Sequence, residues 1–374
     1  MMTNDKCGLY VHIPFCLKKC NYCDFCSFSN LSEKEKSDYV NSLISEISGY
    51  KREEKIKADT VFFGGGTPSL LSVSDFEKIT DALRESFDID INSEFTLELN
   101  PKTVTREKLK AFIGCGVNRI SIGLQSIHEN EQKMLGRIHN YSDFEEAYFM
   151  AREEGIKNIS VDLMYGIPLQ TKNSFGETLK KVISLSPEHI SAYGLIIEEG
   201  TPFFEEHESL NLPSEDEECD MYDLARETLV QNGYRHYEIS NYAKPGYESK
   251  HNLKYWKDKE YIGFGVSAYS YFEGARFGNT KSLADYISEP KVKINREVIS
   301  KKDEAYEYAM LALRLSDGIS LHEYKEKFGE SFLSGREEKI RRFSEFGLLL
   351  LTDEKLCLSE KGFYLSNNVI SELL

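Results

Sequence analysis

Short apolar runs rich in β-branched and aromatic residues alternate along this chain with longer segments in which apolar residues recur at helical spacing. A helix is predicted over 33–48. Three capping boxes, in which a serine and a glutamate satisfy each other's free backbone N–H groups, mark further helix starts at Ser142, Ser174 and Ser214. Such alternation is typical of parallel strands joined by crossover helices. The apolar runs predict six strands, over 8–13, 60–63, 94–99, 119–123, 159–163 and 189–193.

Six strand–helix units are too few to close an eight-stranded barrel. We therefore expect an α/β fold, built as an open, partial (β/α)6 barrel over residues 1–197, with functional residues at the carboxyl ends of its strands. Residues 198–290 are irregular and aromatic, and we expect them to close the open side of the barrel. Over 291–374, charged amphipathic helices followed by a hairpin-like pattern predict a small α+β, winged-helix-like domain.

Composition narrows the class of protein. The 374 residues carry a formal charge of -16, with 62 acidic against 46 basic residues, which argues against a nucleic-acid or anionic-membrane surface. No apolar run approaches the roughly 20 residues that span a bilayer, and residues 1–6 lack the apolar core of a signal peptide. Four of the eight cysteines lie between positions 16 and 26, which fits a metal site in a reducing compartment better than a disulfide framework. We therefore expect a cytoplasmic protein.

The densest chemical signal is a cysteine loop directly after the first predicted strand. Cys16, Cys20 and Cys23 have CxxxCxxC spacing. Three thiolates on one short loop can hold three irons of a [4Fe–4S] cube and leave the fourth iron open to a small molecule. Two alternatives stay open on chemistry alone. Cys26 could complete a four-thiolate zinc site, or it could replace Cys16 in the three-cysteine set.

Other residues with functional chemistry follow the predicted strands. The glycines at 64–66 would let the backbone approach a ligand closely, although a tight turn is their default role. Glu98 could accept hydrogen bonds from ribose hydroxyls, and Arg137 offers a planar donor fork for a carboxylate. Asp162 lies inside an apolar run, where an acid needs partners, so a buried structural hydrogen bond competes with a ligand-binding role.

These blocks together resemble the coproporphyrinogen dehydrogenase branch of the radical S-adenosylmethionine (SAM) superfamily, over about residues 8–290. The matching segments are Tyr10 to Cys16, the cysteine loop, Gly64 to Pro68, Glu98 to Pro101, Ser121 to Ser126 and Asp162 to Pro168. The resemblance implies a partial (β/α)6 barrel, a [4Fe–4S] cluster and SAM bound to the open iron. It implies Cys16, Cys20 and Cys23 as cluster ligands, and Tyr10, Tyr22, Gly65, Gly66, Thr67, Glu98, Gln125, Arg137 and Asp162 as the lining of the SAM site.

Two features separate this chain from the oxygen-independent coproporphyrinogen III oxidases of that branch. Their pattern has a fourth cysteine where this chain has Phe25, and their segment before the cysteine loop is longer than the fifteen residues found here. The segment from His251 to Trp256, HNLKYW, resembles instead the HNxxYW motif of HemW-type heme chaperones. That resemblance implies His251 as an axial heme ligand, since neutral imidazole binds heme iron well, with Tyr255 and Trp256 stacking on the macrocycle.

The sequence therefore predicts a radical SAM protein that binds heme and transfers it to apo-hemoproteins, with an electron donor for its cluster and no nucleic-acid partner. The alternative is an enzyme that converts coproporphyrinogen III to protoporphyrinogen IX. A third class is a zinc-stabilised scaffold without redox chemistry. Heme shared between two chains would be one route to a homodimer, although no coiled-coil pattern supports it.

Overall fold

The computed structural model describes residues 6–374. Residues 1–5, which make up most of the polar start that argues against a signal peptide, lie outside the described residues. Within 6–374 we find no helix with both the length and the apolar character needed to cross a bilayer.

The centre of the molecule is a twelve-stranded mixed sheet. Six of its strands are the predicted ones, and they lie side by side in the order β1-β4-β5-β6-β7-β8, all parallel. This arrangement confirms the α/β class, and the observed strands extend beyond the predicted ranges. The strands of this half of the chain are β1 (Cys7–Ile13), β2 (Phe15–Cys16), β3 (Phe28–Ser29), β4 (Ile56–Gly65), β5 (Phe87–Leu99), β6 (Arg119–Gln125), β7 (Asn158–Tyr165) and β8 (His189–Gly194).

Helices connect these strands, and their caps only partly match the predicted ones. The helix predicted over 33–48 is confirmed, and so is the capping box at Ser214. The boxes predicted at Ser142 and Ser174 are wrong, because the capping side chains belong to Asn140 and Thr171. The helices are α1 (Glu33–Ser48), α2 (Val73–Ser86), α3 (Arg106–Gly114), α4 (Glu129–Met134), α5 (Tyr141–Glu153) and α6 (Lys172–Leu185).

Residues 198–290 form regular elements that extend the sheet at both edges. On one edge β10 pairs antiparallel with β8; on the other, β11 pairs parallel with β1 and so adds a seventh parallel strand to the predicted six. The elements are α7 (Pro202–Glu205), α8 (Glu215–Gln231), β9 (Arg235–Glu238), β10 (Asn241–Ala243), α9 (Lys250–Trp256), β11 (Tyr261–Phe264), β12 (Tyr269–Phe272), β13 (Ala275–Gly278) and α10 (Leu283–Ser288), with β14 (Ile294–Val298) after them.

The C-terminal part has its own apolar core, formed largely by side chains between Ala305 and Leu373, and a small antiparallel sheet in the order β15-β17-β16. The predicted hairpin is present as β16 and β17. The elements are α11 (Lys301–Ala312), β15 (Ile319–Ser320), α12 (Leu321–Phe328), α13 (Glu337–Glu345), β16 (Leu349–Leu351), β17 (Lys355–Leu358), α14 (Glu360–Tyr364) and α15 (Ser366–Leu373).

The two faces of the barrel strands differ, and this difference positions the site. Side chains alternate along a strand, so every second residue faces the same way. In β1, Leu9, Val11 and Ile13 are fully buried within the main apolar core, together with residues of α1. The intervening Tyr10 and His12 face the barrel interior, called here the lumen, where they contact each other. The lumen is thus lined by polar and aromatic groups, while the outer face of the sheet packs against the helices.

Candidate functional site

The cysteine loop follows β1 at the carboxyl end of the barrel. Cys16 Sγ lies 3.8 Å from Thr67 Oγ1, and Arg137 Nη1 lies 3.7 Å from Cys20 Sγ. Burial raises the pKa of Cys23 to about 11, and the thiols of Cys20 and Cys16 both contribute to this rise. The thiols of Cys16 and Cys20 therefore lie near that of Cys23, but among residues 6–374 no group of three His, Cys, Asp or Glu side chains is arranged to hold a metal ion. By chemistry alone, three thiols are the donor set that a cluster with three protein ligands requires.

The partners of the Cys26 thiol lie outside this set. Its Sγ donates to the Lys281 carbonyl oxygen at 3.7 Å, and the Ser267 side chain also contacts it. The Cys26 carbonyl oxygen lies 2.7 Å from Nε2 of the buried His12, which fixes the end of the loop to β1. The thiol of Cys26 thus contacts the turn between β11 and β12 and the segment between β13 and α10.

The glycine turn at the end of β4 packs against the backbone of the cysteine loop. A Cβ on Gly66 would lie 2.8 Å from the Phe15 carbonyl oxygen, and Gly66 N–H donates to the Ile13 carbonyl oxygen at 2.8 Å. Gly65 has φ of 110°, a conformation that side chains rarely adopt, and its N–H donates to Glu98 Oε2 at 3.2 Å. Glycine is therefore required here for close approach between two loops.

Glu98 and Asp162 bring two carboxylates into the lumen. Burial raises the pKa of Glu98 to about 8, and Asp162 adds to the rise, whereas the Gly65 N–H and Arg119 oppose it. Burial also raises the pKa of Asp162, against hydrogen bonds that its oxygens accept from Ser191 at 2.8 Å and from Ser121 at 3.0 and 3.1 Å. Asp162 is therefore held by structural hydrogen bonds and also faces the site.

The raised pKa of Glu98 should make the stability of the protein depend on pH. Between about pH 4.5 and 8, Glu98 holds a proton in the folded state but not in the unfolded state. Its contribution to the free energy of unfolding is therefore lost as pH rises through that range. Without cofactors, the free energy of unfolding of the wild type should therefore fall by about 2 kcal/mol more between pH 6 and pH 8 than that of Glu98→Gln. Urea unfolding at both pH values measures this difference. Equal losses in wild type and variant would contradict it.

Arg137 links the cysteine loop to the carboxyl ends of β5 and β6. Its Nη2 donates to Asn100 Oδ1 at 2.9 Å and to the Gly123 carbonyl oxygen at 2.7 Å, while Nη1 reaches Cys20. Asn100 in turn donates to Thr67 Oγ1 at 2.9 Å. This chain of contacts runs from Cys16 through Thr67 and Asn100 to Arg137 and Cys20, so it connects two of the three cysteines.

The remaining predicted SAM residues lie around the same loop. Gln125 ends β6 with φ of 70°, an uncommon conformation for a residue with a side chain, and its Nε2 and Arg137 Nη2 both approach Gly123 closely. Tyr22 lies in the loop, where burial raises its pKa and the nearby Arg137 lowers it. Tyr10 lies deeper, with its hydroxyl 3.0 Å from His12 Nδ1.

His251 lies at the opposite, amino-terminal end of the barrel. It is 1% exposed; its Nδ1 lies 2.8 Å from Thr60 Oγ1, and its Nε2 lies 2.9 Å from the Tyr255 hydroxyl. Glu94 of β5 accepts from the backbone N–H groups of Lys250 and His251, which fixes the start of α9. The helix α9 is therefore the floor of the barrel, and burial lowers the pKa of His251 to about 3.

Tyr255 and Trp256 are half-buried on the same helix. The Tyr255 ring packs edge-on against Tyr261 of β11, with centroids 4.6 Å apart. Between this floor and the cysteine loop lie Tyr10 and Phe62, whose rings contact the imidazole of His251. The structure therefore places the predicted SAM residues between the cysteine loop and the HNLKYW segment, and one of them, Tyr10, contacts His251.

Sequence reasoning missed Asn100 and His12, which position the cysteine loop. Asn100 directly follows β5 and stands two residues after Glu98, so continued strand alternation would already place both side chains on one side. His12 stands in the same relation to Tyr10 on β1. The period of two was therefore the signal that could have found these residues, whereas nothing local indicates the contact of Thr60 with His251.

Comparisons with known proteins match this geometry. Residues 10–182 match the model of the radical SAM superfamily, and residues 299–365 match that of the HemN C-terminal domain. The fold is similar to that of coproporphyrinogen III oxidase (HemN) from Escherichia coli, with a TM-score of 0.85 and 23% identity, covering 98% of this chain and 89% of that one.

Curated relatives are similar over nearly the whole chain. The chain is 36% identical over 369 residues to the heme chaperone HemW of Lactococcus lactis, covering 98% of this chain and 96% of the relative. It is 35% identical over 376 residues to the heme chaperone HemW of Bacillus subtilis, covering 98% of each. With the cysteine loop and the radical SAM match, these similarities lead to one conclusion: the chain belongs to the HemW heme chaperone family of the radical SAM superfamily.

Proposed function

We propose that this chain is a [4Fe–4S] radical SAM protein that binds heme and transfers it to apo-hemoproteins. The observation that carries the proposal is the near full-length similarity to HemW heme chaperones, in a chain that keeps the three-cysteine loop and the HNLKYW segment. Membership in the superfamily implies the cluster and SAM. We propose heme and its protein acceptors because these relatives are called heme chaperones.

Cys16, Cys20 and Cys23 are the proposed cluster ligands. In support, the thiols of Cys16 and Cys20 lie near enough to that of Cys23 to raise its pKa, while the Cys26 thiol donates a hydrogen bond to the Lys281 carbonyl oxygen. A cluster bound there would supply one-electron reducing chemistry, with electrons from an external donor. Arg137, whose Nη1 contacts Cys20 Sγ, would keep the loop in place and partly offset the negative charge of the thiolates.

The SAM site is proposed directly beside this loop. Glu98 would accept hydrogen bonds from the ribose hydroxyls, and Gly65, Gly66 and Thr67 would border the methionine end. Tyr10, a partly buried residue of β1 whose ring stacks on His251 of α9, would form the inner wall. The other proposed lining residues are Tyr22, Gln125, Arg137 and Asp162, which lie on the same face of the barrel.

Heme does not fit against His251 in the present conformation. Both ring nitrogens are engaged, by Thr60 and Tyr255, and the side chain is enclosed by Tyr10 and Phe62. An axial bond to iron needs a free imidazole nitrogen. His251, Tyr255 and Trp256 would therefore hold heme only in a conformation in which α9 has moved away from β1 and β4.

The competing function is oxidation of coproporphyrinogen III, and the fold favours it as the alternative because the chain matches the HemN structure over 98% of its length. We expect no conversion. The test is an anaerobic assay of cluster-reconstituted protein with SAM, a reductant and coproporphyrinogen III, with protoporphyrinogen followed by chromatography. A known oxidase is the positive control. Turnover with an intact cluster would replace heme transfer by the oxidase function.

We also propose the division of the chain into a barrel over 1–197, a segment over 198–290 and a C-terminal domain over 291–374. The separate apolar core between Ala305 and Leu373 supports the last of these units. Residues 198–290 share the main core with the barrel, through side chains such as Met221, Ile262 and Phe277. The first two units should therefore unfold together.

A further inference from the structure

Arg119 is an arginine of the lumen whose charge has no direct partner. It is the first residue of β6 and is 2% exposed. Across residues 6–374 its side chain forms neither a hydrogen bond nor an ion pair, and its Nε is buried without an acceptor. Burying an unpaired guanidinium is costly, so a folded chain that keeps one needs a compensating interaction.

The residues beside Arg119 also have unused hydrogen-bonding capacity. Thr96 of β5 and Asn158 of β7 are its direct cross-strand partners, so the three side chains share the lumen face. Thr96 Oγ1 and Asn158 Oδ1 are buried without partners, like Arg119 Nε. These neighbours are uncharged, and the charge of Arg119 must therefore be balanced by groups further along the lumen.

Glu94 and Glu98 of β5 both lie diagonally across from Arg119, and Glu94 accepts hydrogen bonds from the backbone N–H groups of Lys250 and His251. Arg119 also lowers the pKa values of His189, Tyr237 and His251, which lie around it.

Glu98 and Asp162 are the carboxyls of the proposed SAM site that face this charge. Glu98 is the cross-strand partner of Ser121, so Arg119 lies diagonally across from it, two residues earlier on β6. Arg119 lowers the pKa of both carboxyls, against the effect of burial. The other groups acting on Glu98 are the Gly65 N–H and Asp162, and Glu98 itself acts on the hydroxyls of Tyr10 and Tyr255.

We propose that Arg119 is a positioning residue of the SAM site, an internal counter-ion that favours the charged forms of Glu98 and Asp162 when SAM covers the mouth of the lumen. The inference rests on the proposed SAM site. Bound SAM excludes water from the carboxylates, which favours their neutral forms. A guanidinium cannot release its proton in the physiological range, so its charge is constant while the site fills and empties.

The test measures SAM affinity of cluster-reconstituted protein from pH 6.5 to 9.5 under anaerobic conditions. In wild type, affinity should rise with pH as Glu98 ionises. In Arg119→Met the rise should shift to higher pH, with binding about tenfold weaker at pH 7.5 and a deficit that shrinks by pH 9.5, because one pKa unit corresponds to a factor of ten. Arg119→Lys should restore affinity to within about threefold.

Arg152→Met is the matched control. Arg152 is a half-buried arginine that pairs with Glu188 at 2.7 Å and contacts Tyr148, outside the lumen. This variant should lose stability but keep the wild-type pH profile of SAM binding. A change in stability alone therefore would not imitate the expected result.

Two outcomes distinguish failure of the proposed role of Arg119 from failure of the proposed SAM site. An Arg119→Met deficit that is absent, or equal at every pH, would overturn the role of Arg119. Failure of wild type to bind SAM would overturn the SAM site itself. If Arg119→Met does not fold, Arg119→Gln, which keeps hydrogen-bonding groups and removes the charge, is judged by the same two criteria.

Discussion

Replacing Cys16, Cys20 or Cys23 by serine is expected to leave the chain without its iron–sulfur cluster. Each thiolate of the set binds a separate iron, so one loss leaves two protein ligands for the cube. Anaerobically reconstituted wild type should carry about four irons and four sulfides per chain and be brown, and each variant should be nearly colourless. Iron and sulfide analysis, together with the visible absorbance of the cluster, measures the effect.

Cys26→Ser is the matched control, since it removes a thiol from the same loop. Because the Cys26 thiol already donates a hydrogen bond to the Lys281 carbonyl oxygen, this variant should keep a full cluster. A cluster that survives Cys16→Ser but not Cys26→Ser would assign the set Cys20, Cys23 and Cys26. One zinc per chain in place of iron would support the zinc-stabilised scaffold instead.

Two substitutions on α9 should change heme affinity in opposite directions. His251→Ala should weaken binding by at least about 100-fold, since it removes the axial ligand. Tyr255→Phe keeps the ring but removes the hydroxyl that engages His251 Nε2, so it should strengthen binding by about fivefold, the equivalent of one hydrogen bond. Titration of each protein with heme, followed by absorbance, measures both effects.

His236→Ala provides the control for loss of an imidazole that packs on a tyrosine. His236 stacks on Tyr242, with centroids 4.4 Å apart, and lies outside α9, so its loss should leave heme affinity unchanged. Wild-type affinity in His251→Ala would assign the iron to another ligand. Weaker binding in Tyr255→Phe would indicate that the hydroxyl supports heme binding rather than competing with it.

Local patterns predicted the elements well where local interactions decide them. The helix Glu33–Ser48 and the cap at Ser214 follow from side chains within a few residues. The predicted caps at Ser142 and Ser174 were wrong because the first lies inside its helix, while Ser174 is the third residue of its helix and bonds back to Thr171. The strand β11 pairs with β1 from more than 250 residues away, and no local pattern could indicate that pairing.

The candidate site divides in the same way. The cysteine loop and the residues at strand ends could be placed from the sequence because parallel strands bring their carboxyl ends to one edge. The burial of His251 could not, since it depends on α9 entering the barrel floor and on contacts with Thr60 and Glu94. Arg119 stands at a strand start, where an arginine is usually exposed, and only the barrel geometry encloses it.

We propose that this chain carries heme and passes it on. The most direct measurement loads the cluster-reconstituted protein with heme, removes free heme, adds an excess of an apo-hemoprotein and follows the Soret absorbance of the acceptor. We expect the acceptor to become fully loaded, and to stay empty when His251→Ala protein taken through the same steps is the donor. Heme that stays on the wild-type protein, or that reaches the acceptor equally well after passage through the variant, would contradict the claim.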